Sequence, residues 1–223
     1  IFMPLLFAIF AAASLVIGKR SRAAIEVPTQ KVRSIAIGDA EVIGQVRPIS
    51  QPPTVIVDND PSKTAEDLVV WNWLYDVHIE ETYTNSDGER ETRRYWRDID
   101  SESGDEAFVT HDGTGGMIVE PGSFSRKELG QPIITWSCDH MSYGQLRKIN
   151  LWRAARTYGS GRVIEHRWRL WGLSVGDPCM IHGSATNLPL KAREKYGISK
   201  NDPPSSRIVL LGADSEAMKT TIW

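Results

Sequence analysis

The sequence predicts a mainly β chain with a few helices, carried behind an apolar N-terminal segment. Short stretches of alternating apolar and polar residues recur along the 223 residues, separated by clusters of Gly, Pro, Asn, Asp and Ser. One hairpin, Phe108 to Pro121, is written out plainly as FVTHDGTGGMIVEP. A single long stretch, Met141 to Tyr158, spaces its apolar residues about a turn apart, as a helix does.

The hairpin organises the rest. Phe108 to His111 and Met117 to Glu120 are rich in aromatic, branched and large apolar side chains, while Asp112 to Gly116 are turn residues. Asp112-Gly113 is a strong short-range hairpin signal. A glycine-rich turn can also cradle a phosphate, but that use needs a helix N-terminus after the glycines. Met-Ile-Val-Glu follows here, a strand pattern, so the turn is expected to be structural.

At the start, Ile1 to Ile17 is apolar without a single charge, just long enough for a bilayer span, which takes about 17 residues at the lower limit. Residues 1–18 are therefore expected to form a transmembrane helix, extending further upstream because the chain opens on Ile. A cleaved signal peptide competes through Ala11 to Ala13, but Leu15, Val16 and Ile17 carry the apolar run past them. Lys19, Arg20 and Arg22 follow and favour a cytoplasmic or equivalent face for what comes next. Residues 19–34 are expected to be a polar linker.

Beyond it, a net charge of −2 and ordinary composition suit one large β domain or two small ones, taken here as one domain over residues 35–213. Ala40 to Pro48 alternates with Val42 and Val46 on one side, and Gly44 marks a bend. Ser50 to Thr64, with three prolines, is a loop with a short edge strand at Val55 to Val57. Leu68 to Tyr83 is the longest strand: Trp71, Trp73, Tyr75, Val77 and Ile79 form a core face, opposite a wet face with Asn72, Asp76, His78 and Glu80. Thr84 to Gly88 turns the chain into a return strand over Glu91 to Asp98, and Asp98 to Glu106 is a solvated acidic loop lacking the ligand spacing of a calcium loop.

Pro132 to Trp136 is a short strand, and a helical insert spans residues 141–158. Its basic residues are interleaved and not blocked, which argues for a solvated face and against nucleic acid. Arg162 to Trp171 sets Ile164, His166, Trp168 and Leu170 against Glu165, Arg167 and Arg169. A turn over Trp171 to Asp177 and a strand over Cys179 to Ala185, broken by Gly183, come next. A loop with a short helix over Asn187 to Gly197 and a strand over Arg207 to Leu211 follow, and residues 214–223 begin a further helix.

For chemistry the sequence offers little. Two cysteines are too few for a disulfide scaffold. Cys138, His140, Cys179 and His182 are the right types for zinc, but their spacing fits no standard site, and Cys179 and His182 would face opposite ways on a strand. Gly159-Ser160-Gly161 is no nucleophile elbow. No catalytic, cofactor-binding or metal residue is assigned, and no small-molecule substrate. Eight tryptophans serve a core or a membrane interface, and sequence does not separate the two uses.

The order of features resembles a known family. The apolar helix is followed by the glycine-bent strand Glu41 to Pro48, the aromatic strand Leu68 to Tyr83 and the Phe108-x-x-x-Asp112-Gly-Thr-Gly hairpin. After the helical insert come Leu173-x-x-Gly176-Asp177, a Gly-Ser-Ala strand over Gly176 to Ala185, then Ile208 to Ser215 and a helix start. About 180 residues resemble the GIDE domain, also called BAM, of membrane-embedded E3 ubiquitin ligases of mitochondria and chloroplasts and their prokaryotic relatives. The resemblance implies a curved OB-like barrel or β-sandwich that contacts other membrane proteins through loops and edge strands, with a second membrane helix after it. It also implies, in the eukaryotic ligases, a RING, which needs about eight Cys and His ligands in a tight array. With two cysteines here, the resemblance implies that ubiquitin transfer resides in a sequence beyond Trp223 or is absent, as in the prokaryotic relatives. The expected roles are thus a membrane-anchored binding or scaffold module, alone or as a subunit of a larger membrane complex, or the recognition part of such a ligase. The expected partners are membrane lipid and other membrane proteins.

Overall fold

The structure, a computed structural model, describes residues 29–122, 126, 129–141, 161–188, 190–197 and 208–211. The apolar run at residues 1–18, the helical insert beyond Met141 and the helix expected at residues 214–223 lie outside them. Among the described residues no helix is long and apolar enough to cross a membrane. The chain is mainly β, and residues expected to form one domain divide into two compact units.

The first unit takes Ile1–Ile49, Ala107–Phe124 and Pro178–Trp223. Among the described residues its strands are β1 (Gly38–Pro48), β6 (Phe108–His111), β7 (Gly116–Glu120), β10 (Pro178–Asn187) and β11 (Ile208–Leu211). They close on one another in the order β1-β10-β11-β7-β6, and only the β11 to β7 pairing is parallel. Period-2 alternation puts Ala40, Val42 and Val46, Phe108 and Thr110, Met117 and Val119, and Cys179, Ile181 and Ala185 in the buried set. Each large apolar side chain removed from water in this way contributes about 1.5–3 kcal/mol. Gly44 sits where β1 meets β6. A Cβ there would lie 2.6 Å from Thr110 Oγ1 and 2.9 Å from the His111 backbone, so the bend expected from sequence is also a point of close approach.

Two expectations are corrected in this unit. The stretch to residue 34, expected as linker, already belongs to the barrel from Thr29 on. Thr29 bridges to Glu41, Gln30 N–H donates to the Glu41 carbonyl at 2.7 Å, and Val32 is fully buried. Gly183 does not break β10, because it pairs with Ala40 inside a continuous ladder. A short helix, α1 (Leu190–Lys195), forms where expected. Just past it, Tyr196 packs with Leu188 and Ile118 and donates its hydroxyl to Glu120 at 2.6 Å.

The second unit takes Ser50–Glu106 and Ser125–Asp177. Its sheet runs β5 (Arg90–Asp105), β4 (Leu68–Thr84), β9 (Arg162–Ser174) and β8 (Ile134–Cys138), all antiparallel. A two-stranded ribbon, β2 (Val55–Ile56) with β3 (Thr64–Ala65), lies before it in sequence. Trp73, Tyr75, Val77 and Ile79 pack with Trp168, Leu170, Val55, Val57 and Leu68 as the core, and Tyr75 stacks on Trp168 at 4.5 Å between ring centres.

The acidic stretch Asp98 to Glu106 is no solvated loop. Through Asp105 it is strand, because the long β4 presents hydrogen-bonding groups that Asp100 to Asp105 satisfy opposite Val70 to Tyr75. Ile99 is the extra residue of a bulge, and Trp71 lies across Gly104, filling the space its missing side chain leaves. The turn expected over Trp171 to Asp177 shrinks likewise: β9 continues to Ser174, whose N–H donates to Asp177 at 2.7 Å.

The second face of the sheet, expected to be wet, is not so at its centre. Asp76 is completely buried. It accepts from Arg167 Nε at 3.0 Å and Nη2 at 2.7 Å, and also from Arg169. Arg167 lies 3.5 Å over the Trp96 ring, and His78 stacks on the same ring at 4.7 Å. A half-buried, stacked His78 replaces the exposed one expected.

Candidate functional site

The residues that meet in a cavity belong to the second unit. The sequence Val57-Asp58-Asn59-Asp60-Pro61-Ser62-Lys63 makes a tight loop between β2 and β3. Val57 plugs the core, its N–H donates to the Lys63 carbonyl at 2.8 Å, and Asp60 N–H donates to the Val57 carbonyl at 3.0 Å. To turn so sharply, Asp58 (φ 54°) and Asn59 (φ 52°) take the left-handed conformation. Asp and Asn bear this better than other residues with a side chain, yet strain of this kind still costs on the order of 1–3 kcal/mol and gathers at functional sites.

Facing the loop, β8 and β9 contribute Trp136, Ser137, Cys138 and Trp168, and Met141 adds an apolar edge. Together they enclose about 490 Å³, within the range of small-ligand clefts. Trp168 stacks on Tyr75, and the Lys63 ammonium lies over its ring at 4.3 Å from the centre. Its Nε1–H donates to Asp58 at 3.4 Å. Lys63 is also ion-paired with Asp60, and that bond brings the Asp60 carboxyl down to about 2. Asp58 goes the other way. Burial pushes it up to about 6, with the Asp100 and Asp60 carboxylates adding to the rise against the Trp168 N–H and Lys63. A carboxyl in this range exchanges protons near neutrality, the property expected of an acid–base or ion-binding group.

Cys138 stands directly opposite His166 across β8 and β9, a thiol beside an imidazole. It is not an activated one. Burial pushes the thiol up, and burial aided by the nearby His140 pushes the imidazole down, so both favour their neutral forms. His166 Nδ1 instead shares a 2.8 Å hydrogen bond with the Tyr75 hydroxyl.

The four residues weighed for zinc fall in different units: Cys138 and His140 in the second, Cys179 and His182 in the first. β8 ends at Cys138, which leaves His140 beyond the strand, and Cys179 is buried beside the Thr110 hydroxyl at 3.7 Å. Neither Cys138 nor Cys179 forms a disulfide. Among the described residues no group of three or more His, Cys, Asp or Glu is placed to hold a metal ion.

The hairpin turn is built by Asp112. Its Oδ1 accepts from Thr114 N–H at 2.8 Å, Thr114 Oγ1 at 2.7 Å and Gly115 N–H at 3.1 Å, while Oδ2 accepts from Val32 N–H at 2.9 Å. Burial alone would raise this carboxyl, but the four donors outweigh it and hold it at about 2. Gly113 at φ 84° supplies the left-handed step, and a strand follows, not a helix. The turn is thus closed by its own aspartate.

Sequence reading treated Ser50 to Thr64 as a proline-rich loop and missed the cleft. The available signal was Asp58-Asn59-Asp60, three consecutive residues tolerant of the left-handed region just before a proline. Compared with protein-family models, curated proteins and solved structures, the chain finds no match.

Proposed function

We propose that the chain is a membrane-anchored, GIDE-like β protein that works as a binding or scaffold module at a bilayer surface, engaging other membrane proteins and lipid. The observation that carries this reading is β5. It is sixteen residues long, mostly exposed, and among the described residues hydrogen-bonded within the sheet on one side only, which leaves an edge of roughly 50 Å. Such an edge takes up an extended segment of a partner by strand addition. Its charges and the bulge at Ile99 discourage indiscriminate pairing, so the partner is a matched one. The anchor is supported by the uncharged run Ile1 to Ile17. An OB-like first unit is supported by five-strand closure with Greek-key connections.

The test places a photo-crosslinking amino acid at Thr92 and Ser101 of β5, and at Thr54 as a control, in the full chain in its native membrane. Adducts to a membrane protein from the β5 positions alone are expected. Yields equal to the control would overturn the reading, and so would release of the chain from membranes by alkaline carbonate. A Cys/His-rich sequence encoded past Trp223 would favour the ligase alternative.

A further inference from the structure

We propose that the cleft of the second unit is a binding site for an aliphatic primary ammonium, with the charged head against the Asp58 carboxylate and the carbon stem along Trp136 and Met141. The proposal does not depend on β5 taking a partner. Three features of the cleft converge on this chemistry. The cavity of about 490 Å³ mixes an indole and a thioether with carboxylates, the combination that holds an organic cation by contact and charge together.

The protein already demonstrates the recognition with its own side chain. The Lys63 ammonium lies over Trp168 and is neutralised by Asp60, in the same cleft. Asp58, by contrast, is half-buried with no salt bridge among the described residues, and its hydrogen bond to Trp168 Nε1 is a long one at 3.4 Å. A carboxylate taken out of water without a cation is expensive, and an incoming ammonium supplies the missing charge.

A strained backbone fixes that carboxylate in place. Asp58 and Asn59 both sit at positive φ, so the carboxyl is presented by a loop that bears a conformational cost to hold it there. The charged and titratable groups around Asp58 are Asp60 and Lys63 of its own loop, Asp100 of β5 and Cys138 of β8. Only Lys63 among them is cationic, and it is committed to Asp60. Lys63 therefore acts as a built-in competitor for Trp168 and Asp60, and removing it opens the site further.

The experiment titrates the full chain in detergent with n-butylammonium and, separately, with n-butanol. It follows the Trp168 indole N–H resonance, assigned with Trp168→Phe, and the heat of binding. The expected result is saturable binding of the amine at millimolar concentration and binding of the alcohol weaker by about tenfold or more, the value of one charge-assisted bond. Asp58→Asn, which keeps the shape and tolerates the same backbone, loses the amine by a similar factor, while Lys63→Met binds it more tightly. Affinity falls as pH drops from 7.5 to 5 and Asp58 takes up its proton. Nα-acetyl-lysine methylamide distinguishes the sources: tighter binding than n-butylammonium assigns the site to a protein lysine, weaker binding to a free amine. Equal binding of amine and alcohol, unchanged affinity in a folded Asp58→Asn, or no saturable binding up to about 50 mM, which corresponds to less than 2 kcal/mol, would overturn the proposal.

Discussion

Replacing Asp76 with Ala removes the carboxylate that pairs with Arg167 and Arg169 on the second face of the β5-β4-β9-β8 sheet. Three charge-assisted hydrogen bonds are lost from a carboxylate with no solvent exposure. Taken separately, such bonds would sum to about 4.5–9 kcal/mol, an upper bound because the partners can relax. The two guanidinium side chains keep 23% and 26% of their exposure and can turn toward water, and Arg167 keeps its stacking on Trp96. Breaking a fully buried pair costs about 3–5 kcal/mol, so the low end, about 3 kcal/mol, is expected here. Urea unfolding followed by tryptophan fluorescence and near-ultraviolet circular dichroism measures it, with the midpoint shifted and the slope unchanged. Asp76→Leu combined with Arg167→Met and Arg169→Met, which removes all three charges, should recover much of the loss. A decrease below about 1 kcal/mol in Asp76→Ala would refute the view that this carboxylate organises the face.

Three further outcomes are expected. Gly44→Ala should destabilise the first unit by about 2–3 kcal/mol, because the added Cβ meets the His111 backbone at 2.9 Å, an atom that cannot simply rotate away; a thermal melt reads this, and an unchanged midpoint would show that the strands part easily. Asp112 has a folded pKa, about 2, below its ordinary value of 3.8, so its stabilisation is present above pH 4 and lost as pH falls toward 2; the stability gap between wild type and Asp112→Asn should close over that window in urea titrations. Asp58 has the opposite sign, with its folded pKa raised to about 6, so the stability of the protonated form is full below pH 3.8 and lost as pH rises through 6; Asp58→Asn should match wild type at pH 4 and exceed it at pH 7.5.

Where the sequence pattern was local, it was legible. Alternation placed Trp73, Tyr75, Val77 and Ile79 on the core face of β4, and Asp112-Gly113 marked the hairpin, because side-chain direction and turn sterics depend on a few neighbouring residues. Asp98 to Glu106 misled because Ser, Gly and Asp favour loops in isolation, whereas β4, far longer than its return strand was expected to be, pairs with them through Asp105. Asp76 misled for a related reason: its polar neighbours mark a wet face, and only the arginines of β9 make its burial affordable. The cleft was invisible because its loop, Asp58 to Lys63, and its wall, Trp136, Cys138 and Trp168, lie more than seventy residues apart in sequence.

By itself, then, the sequence determined a β chain with an uncharged apolar start, the inward faces of its strands, and a turn closed at Asp112 and Gly113. Tertiary structure alone decided which of the described strands lies at the sheet's edge, which carboxylates lost their water, and that a strained aspartate would face two tryptophans across a cavity. Strand faces and turns follow from backbone geometry over a handful of residues. Edges, burial and cavities follow from which distant segments pair, and no short window of sequence carries that information.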